Sequence, residues 1–418
     1  MAVRFRRARG APASATTRFK RDSLDEVEIP TGALYGAETV RSVRNLSFSG
    51  RRLGDLPAYV RALGMVKLAA ARANRDACVL DSRRSLAIER VCRAIIAGDY
   101  HDQFVIDPLS GGGGIAINMN VNEVIARAAS KLVGGRASVH SKQHVNASQS
   151  TADVCHTAAR IAIVNEWRPA REALDACAAA MRAKERQFCG LATIARTCLQ
   201  DASPVALGTL FGGHAAAIAR RTAEIDRACG SLRLINLGGT VIGSGEGAPG
   251  AYRRAIVKHL RAATGLQVAL RPNLYDAAQN IDDLGDVAAA LGLLAEVLLK
   301  VAEDLRLLSS GPEGGFGEIH LPATQQGSSF FARKINPLVP ESLIACCFVI
   351  LGCERTARLA LERGELNLNV FEGAAAIAIL DVFAMLPRAV TSFTNFCVRG
   401  ITANEERCRR LAGRSRYR

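Results

Sequence analysis

Two hydroxyls, one ammonium and one carboxamide fall within nine residues of the stretch Gly327-Ser-Ser-Phe-Phe-Ala-Arg-Lys-Ile-Asn-Pro337. Ser328, Ser329, Lys334 and Asn336 are suited to holding a carboxylate and moving a proton. Gly and paired Ser favour loop over helix interior. A Gly-rich approach, Gly311 to Gly317, leads into the stretch, and the apolar run Leu343 to Leu351 follows it.

Three further polar segments interrupt long apolar ones: Gly112–Asn120, His140–Ala152 and Thr193–Gln200. In a helical protein such segments fall at helix ends, where free backbone N–H groups attract anions. Uncharged donors with one Lys suit a small dicarboxylate. Other chemistries lack their signatures. Ser110-Gly-Gly-Gly-Gly114 is not the GxGxxG of a dinucleotide site, and no GK[ST] follows it. His140 and His144 are spaced i, i+4, but HSKQH lacks the Glu of a zinc-protease helix, so no metal is expected. No Ser-His-Asp spacing and no cofactor motif occurs.

The chain is 49% hydrophobic but only 5% aromatic, with Ala and Leu dominating the apolar segments. That composition predicts a mainly α protein. Residues 1–24 read as a basic, disordered extension, and Glu26 to Asn45 as turns with short extended pieces. Helices are expected over Leu56 to Gly98, from about Asn118, over Thr151 to Ile163, and over Trp167 to Gln187. Ile194 to Pro204 reads as a polar interruption before a helix over Ala206 to Cys229. A Gly-rich connection, Asn236 to Gly250, and a short helix, Tyr252 to Ala263, come next. Long apolar helices are expected at Asp283 to Leu308, Pro340 to Ala360 and Glu372 to Phe396. Helices apolar nearly all round are buried on all sides, which implies a bundle core shared between subunits.

The net charge is +15, and the last twelve residues hold six arginines and no acid. A nucleic-acid module is missing, so the basic ends read as solvated tails, with polyanion affinity, or an organelle address for the Arg/Ser-rich start, as the alternatives. Twelve cysteines without a CxxC read as reduced thiols of a cytoplasmic protein. The longest apolar run, Val287 to Val301, contains Glu296 and Lys300 and is too short to span a bilayer.

The polar segments resemble the aspartase/fumarase superfamily over about residues 22 to 410. Matching stretches are Asn118-Met-Asn-Val-Asn-Glu-Val124, His144-Val-Asn-Ala-Ser-Gln-Ser-Thr151, Asp304-Leu-Arg-Leu-Leu-Ser-Ser-Gly-Pro312 and Gly327-Ser-Ser through Lys334-Ile-Asn-Pro337. Asn236-Leu-Gly-Gly-Thr-Val-Ile-Gly243 and Asn273-Leu-Tyr-Asp-Ala-Ala-Gln-Asn280 look more like the aspartate ammonia-lyase branch. The resemblance implies a long-helix bundle with a mixed N-terminal domain (25–145), a central bundle (146–395) and a truncated C-terminal domain (396–418). It also implies elimination to fumarate without a cofactor, in a homotetramer whose active sites draw on three subunits. Carried over by position, Ser328 matches the base that removes the Cβ proton, on a mobile loop. Ser150, Thr151 and Ser329 match donors to the β-carboxylate. Lys334 and Asn336 match the α-carboxylate binders, and Thr197 a residue near the amine.

The departures are also specific. Ile115 stands where the family has Thr, Ala152 where it has Asn, and Cys198 where it has His. In the loop, Phe331 replaces Met, Ala332 replaces Pro, and Arg333 is bulky. His140 remains in an accessory segment, but Ser141-Lys142-Gln143 follows it. Three readings stand: an ammonia-lyase on L-aspartate, a lyase of the same mechanism on another amino- or N-substituted succinate (or a hydratase-like enzyme), and a catalytically impaired paralogue that binds or assembles.

Overall fold

The computed structural model describes residues 17–21, 24–134, 138–331 and 334–414. Its first elements are β1 (Thr17–Arg21) and β2 (Glu26–Pro30), an antiparallel hairpin. The disorder expected through residue 24 therefore does not extend to Thr17–Arg21, while residues 1–16, 22 and 23 lie outside the described residues. Of the turns and extended pieces expected over Glu26 to Asn45, β2 and the turn after it are present, but helix α1 (Ala37–Leu46) takes the rest, because Glu123 supplies acceptors for its first N–H groups. Helices α2 (Pro57–Asp76), α3 (Ser82–Ala97) and α4 (Ile115–Val133) complete the N-terminal part.

Helix α5 (Thr151–Gln187) is one element of 37 residues, where two were expected. Pro169 lies inside it, where proline removes one helix hydrogen bond and crowds the carbonyl four residues back. Trp167, two residues earlier on the same helix, anchors this turn to its neighbours: its ring centre lies 5.9 Å from that of Phe383, and its Nε1 donates to Asp226 at 2.9 Å. At about 1.5 Å per residue the helix is roughly 55 Å long.

The expected polar interruption is an antiparallel hairpin of β3 (Ala192–Thr197) and β4 (Gln200–Ala206), followed by α6 (Gly208–Ser231). Two residues of β5 (Leu234–Ile235) pair in parallel with β6 (Ala269–Leu270) across α7 (Gly250–Thr264). Then come α8 (Leu274–Gln279), α9 (Asp282–Leu308), β7 (Ile319–His320), α10 (Leu338–Glu362) and α11 (Glu372–Phe396). The chain closes with β8 (Thr402–Ala403), paired with β7, and α12 (Glu405–Gly413).

The expected helical bundle is present: α5, α6, α9, α10 and α11 pack side by side around one large apolar core. Helices α9 and α10 run antiparallel. A Cβ on Gly285 would meet Leu361 at 2.9 Å and one on Gly292 would meet Glu354 at 3.0 Å, so both glycines permit close approach. The region Glu372–Gly400 is long and apolar enough to cross a membrane, yet 56% of its apolar window is buried inside the protein.

Buried ions tie the bundle at one end. Arg160 of α5 donates to Asp283 of α9 through Nε at 2.8 Å and Nη2 at 2.9 Å. Its Nη1 reaches Glu372 of α11 at 2.5 Å and the His156 carbonyl at 3.1 Å. His156 also contacts Glu372. Burial alone would raise the Asp283 carboxyl, but Arg160 and then Arg271 hold it below the usual carboxylate value.

Candidate functional site

At the α4/α5 end, Gly112, Gly113 and Gly114 all have positive φ (72°, 64° and 89°), which turns the chain into α4 without a Cβ penalty. A Cβ on Gly114 would stand 2.9 Å from Cys155 Sγ, so the turn lies directly on α5. Ser150 caps α5: its Oγ accepts from Ala152 N at 3.1 Å, and its N–H donates to Asp153 Oδ1 at 2.9 Å. The other Asp153 oxygen accepts from Gly238 N at 3.0 Å and Thr240 N at 3.1 Å, which docks the Gly-rich connection beneath the cap. Burial outweighs these donors and raises the Asp153 carboxyl.

Thr151 Oγ1 accepts from Asn118 Nδ2 at 3.0 Å. Asn118 and Asn122 donate to Asn146 Oδ1 at 3.0 and 3.1 Å, and so does Lys67 Nζ at 3.0 Å. Lys67 also donates to Gln149 Oε1 at 3.1 Å. Its ammonium is buried among carboxamides, and desolvation lowers its pKa to about 7. The Oδ1 atoms of Asn118 and Asn122 are buried with no hydrogen-bond partner among the described residues. This end is thus rich in fixed donors and holds spare acceptors.

Ile115, the first residue of α4, is 47% exposed and lines a cavity of about 230 Å³ with Glu38, Arg41, Ser42 and Met119. Ala152 is 4% exposed, one turn-position after Thr151.

The other residues expected to act lie at the far end of the bundle. Thr197 and Cys198 are exposed at the β3–β4 turn, where Cys198 and Leu199 have φ of 51° and 60°. Nearby, Thr193 and Arg196 share a cavity of about 620 Å³ with Asp304 and Leu308 from the end of α9. The Ser328 loop joins α9 to α10 at this same end, since Arg306 of α9 reaches Glu341 in the first turn of α10 at 3.4 Å. Ser328 Oγ accepts two backbone N–H groups, from Phe331 at 2.8 Å and Phe330 at 3.1 Å. Asn336 closes the loop by donating from Nδ2 to the Gly327 carbonyl. A Cβ on Gly327 would collide with the backbone of Lys334 and Asn336, so the pinch requires glycine. Ser329 and Lys334 are exposed, with the ammonium 5.8 Å from the Phe331 ring centre. Ala332 and Arg333 lie outside the described residues.

Within one chain the expected residues therefore form three groups. Ile115, Ser150, Thr151 and Ala152 converge at the N-terminus of α5. Thr197 and Cys198 lie beyond its C-terminus, and Ser328, Ser329, Lys334 and Asn336 share the loop. Among the described residues no hydrogen bond joins the loop to the Thr151 group. Sequence reasoning left Lys67, Asn146, Gln149 and Asp153 without roles. Two signals were available: a lone Lys within the apolar run Gly64 to Ala71, and asparagines at i, i+4 on α4.

Residues 25–352 match the model of a family described as lyase. Aspartate ammonia-lyase of Helicobacter pylori is 38% identical over 395 residues, covering 94% of this chain and 84% of that one. The Pseudomonas aeruginosa aspartate ammonia-lyase is 39% identical over 409 residues, with 96% and 86% covered. A class II fumarate hydratase of Bradyrhizobium diazoefficiens is 37% identical over 413 residues, with 98% and 87% covered. Among solved structures, a Brucella melitensis fumarate lyase:delta crystallin superposes with a TM-score of 0.93 at 42% identity, covering 96% of this chain and 88% of that one. Class II fumarase of Schistosoma mansoni gives 0.90 at 29% identity, with 95% and 87% covered. By sequence and by fold, the chain belongs to the lyase family of the aspartase/fumarase superfamily and is an enzyme of the carbon–nitrogen lyase class.

Proposed function

We propose that the protein catalyses anti-elimination of ammonia from L-aspartate to give fumarate, with Ser328 as the base. The observation that carries this reading is the pair of N–H donors on Ser328 Oγ. A serine is a weak base, and donors aimed at its oxygen stabilise the alkoxide that can accept a carbon-bound proton. Ser328 takes the Cβ proton, and the released electron pair moves into the adjacent carboxylate as an enediolate. Ser150, Thr151 and Ser329 donate to that carboxylate as its charge grows. The pair then returns to form the Cα–Cβ double bond, and the C–N electrons leave with the amine near Thr197. Lys334 and Asn336 hold the other carboxylate. The departing ammonia takes up the proton from Ser328 and leaves as ammonium, which restores the alkoxide and balances atoms and charge without calling on a cofactor or metal.

Because Thr151 and Thr197 flank a helix roughly 55 Å long, one chain does not bring the two groups to one substrate. The reading therefore includes a homotetramer with sites shared between subunits. It places the protein in the cytoplasm, with domains at 25–145, 146–395 and 396–418. A second reading, a larger leaving group on an N-substituted succinate, is favoured by Ala152 and Cys198. One is a small buried side chain and the other an exposed thiol, where a free ammonium needs directed acceptors. The test is to incubate the purified protein with aspartate, and with fumarate plus a panel of amines, while following fumarate absorbance. A Ser328→Ala variant that retains activity would overturn the assignment of the base.

A further inference from the structure

We propose, resting on the reading of Thr151 as a donor to the β-carboxylate, that Lys67 is a positioning residue whose ammonium makes the Thr151 hydroxyl donate toward the substrate.

A hydroxyl can donate or accept, and a carboxamide can turn either end to a neighbour, but an ammonium only donates. Lys67 of α2 is 1% exposed. Its Nζ meets Asn146 Oδ1 at 3.0 Å and Gln149 Oε1 at 3.1 Å, so both carboxamides must show it their oxygens. Their nitrogens are placed accordingly. Gln149 Nε2 donates to the carbonyls of Val145 at 3.0 Å and Ala147 at 2.9 Å. Asn146 Nδ2 donates to the Gln149 carbonyl at 3.1 Å. With Asn146 Oδ1 fixed, Asn118 has to turn its Nδ2 toward it, at 3.0 Å. The second hydrogen on that nitrogen goes to Thr151 Oγ1, at 3.0 Å.

Thr151 thus accepts from beneath, and among the described residues its own proton meets no acceptor. Turning Asn146 or Asn118 round would set oxygen against oxygen, or an amide donor against the ammonium. The same direction accounts for the buried Oδ1 atoms of Asn118 and Asn122 that have no partner: each side chain gives its nitrogen to the chain of bonds, and its oxygen is left over. The Lys67 ammonium hydrogen-bonds to carboxamides and not to a carboxylate, so an ion pair does not explain its place in the core.

The experiment is a double-mutant cycle between Lys67→Met and Thr151→Val, read as kcat and KM on the substrate that the wild type turns over fastest. Methionine fills the lysine stem and cannot donate. A donor aimed at charge that grows in the transition state acts on kcat more than on KM. Lys67→Met should lower kcat at least about tenfold, part of the roughly 10²–10³-fold that a lost donor costs, with KM changed less. In the Thr151→Val background the same replacement should change kcat by less than about twofold. Equal losses in both backgrounds, as a merely structural lysine would give, overturn the proposal, and so does the absence of loss in either. If Lys67→Met does not fold, Asn118→Leu takes its place in the cycle, since it cuts the same chain beside Thr151, and equal losses again overturn the proposal. A wild type inert on every substrate removes the functional reading instead. The cycle is then read in the calorimetric Kd of fumarate: losses confined to the Thr151 background uphold the role of Lys67, and additive losses or no saturable binding overturn it.

Discussion

Replacing Arg160 by Met tests how the bundle holds its buried charges. Arg160, Asp283 and Glu372 are each at most 4% exposed at the side chain. The guanidinium makes a two-pronged bond to Asp283 and reaches Glu372 with a third nitrogen. Methionine fills much of the volume but leaves two buried carboxylates without that cation. Removing one partner from such a cluster costs about 3–5 kcal/mol, because the remaining charge stays desolvated. The residual Arg271–Asp283 pair, at 3.7 Å, compensates little. The neutral triple variant Arg160→Met/Asp283→Asn/Glu372→Gln should recover most of the loss. The pH dependence has a definite sign. In the wild type the depressed Asp283 contributes stability above its unfolded value, about pH 4, and loses it as pH falls through the folded value. In Arg160→Met, burial dominates and raises the folded value, so protonation favours the folded variant. The gap between wild type and variant should therefore narrow as pH falls from about 7 to about 4. Urea unfolding at fixed protein concentration measures all of this. A single variant within about 1 kcal/mol of wild type, or a triple as unstable as the single, would refute the reasoning.

Ser328→Ala is expected to lower kcat by about 10³-fold or more with the circular dichroism unchanged, and an active variant would place the base elsewhere. Lys334→Met should raise KM about tenfold or more; an unchanged KM would mean that the ammonium stays in solvent. The wild type should turn over aspartate weakly, and Cys198→His with Ala152→Asn and Ile115→Thr should raise that turnover. Each restored contact is worth on the order of 1–3 kcal/mol. A wild-type kcat on aspartate of about 1–10³ s⁻¹ would contradict the pocket argument. Lys67 titrates at about 7 when folded, below its unfolded value near 10.4. The unfolded chain then holds the extra proton across that window, so stability rises with pH by up to about 1.4 kcal/mol per unit. Lys67→Met should lack this rise, and parallel urea midpoints in both proteins from pH 7 to 10 would dismiss it.

The long helices were legible because burial writes itself into composition: α9, α10 and α11 are runs of Ala, Leu and Val that few other structures accept. Their limits emerged within a few residues of the expected ones. The β3–β4 hairpin was not legible, since β4 has no buried residue and includes Pro204, and β3 buries only the adjacent Thr193 and Ile194, so neither strand carries apolar alternation. Strand β1 was hidden for a similar reason: it is polar, and only pairing with β2 makes it a strand. The break expected between Ile163 and Trp167 is absent: α5 runs through it, and Trp167 anchors that turn against Phe383 and Asp226. Ser150 as a cap could be inferred from Ser-x-x-Asp ahead of an apolar run. Lys67 could not be joined to Asn146 from sequence, because nothing local encodes a contact across 79 positions.

The length of α5 also bears on how damage is inherited within an assembly. Under the shared-site reading, a chain injured at Thr151 and a chain injured at Ser328 are each inert alone, but the lesions sit at opposite ends of the bundle. Unfolding and refolding the two together would produce mixed assemblies. Some sites would then collect every segment from an undamaged copy while others gathered both defects. Activity would reappear in the mixture although neither parent had any, and it would fade on dilution as the assemblies came apart.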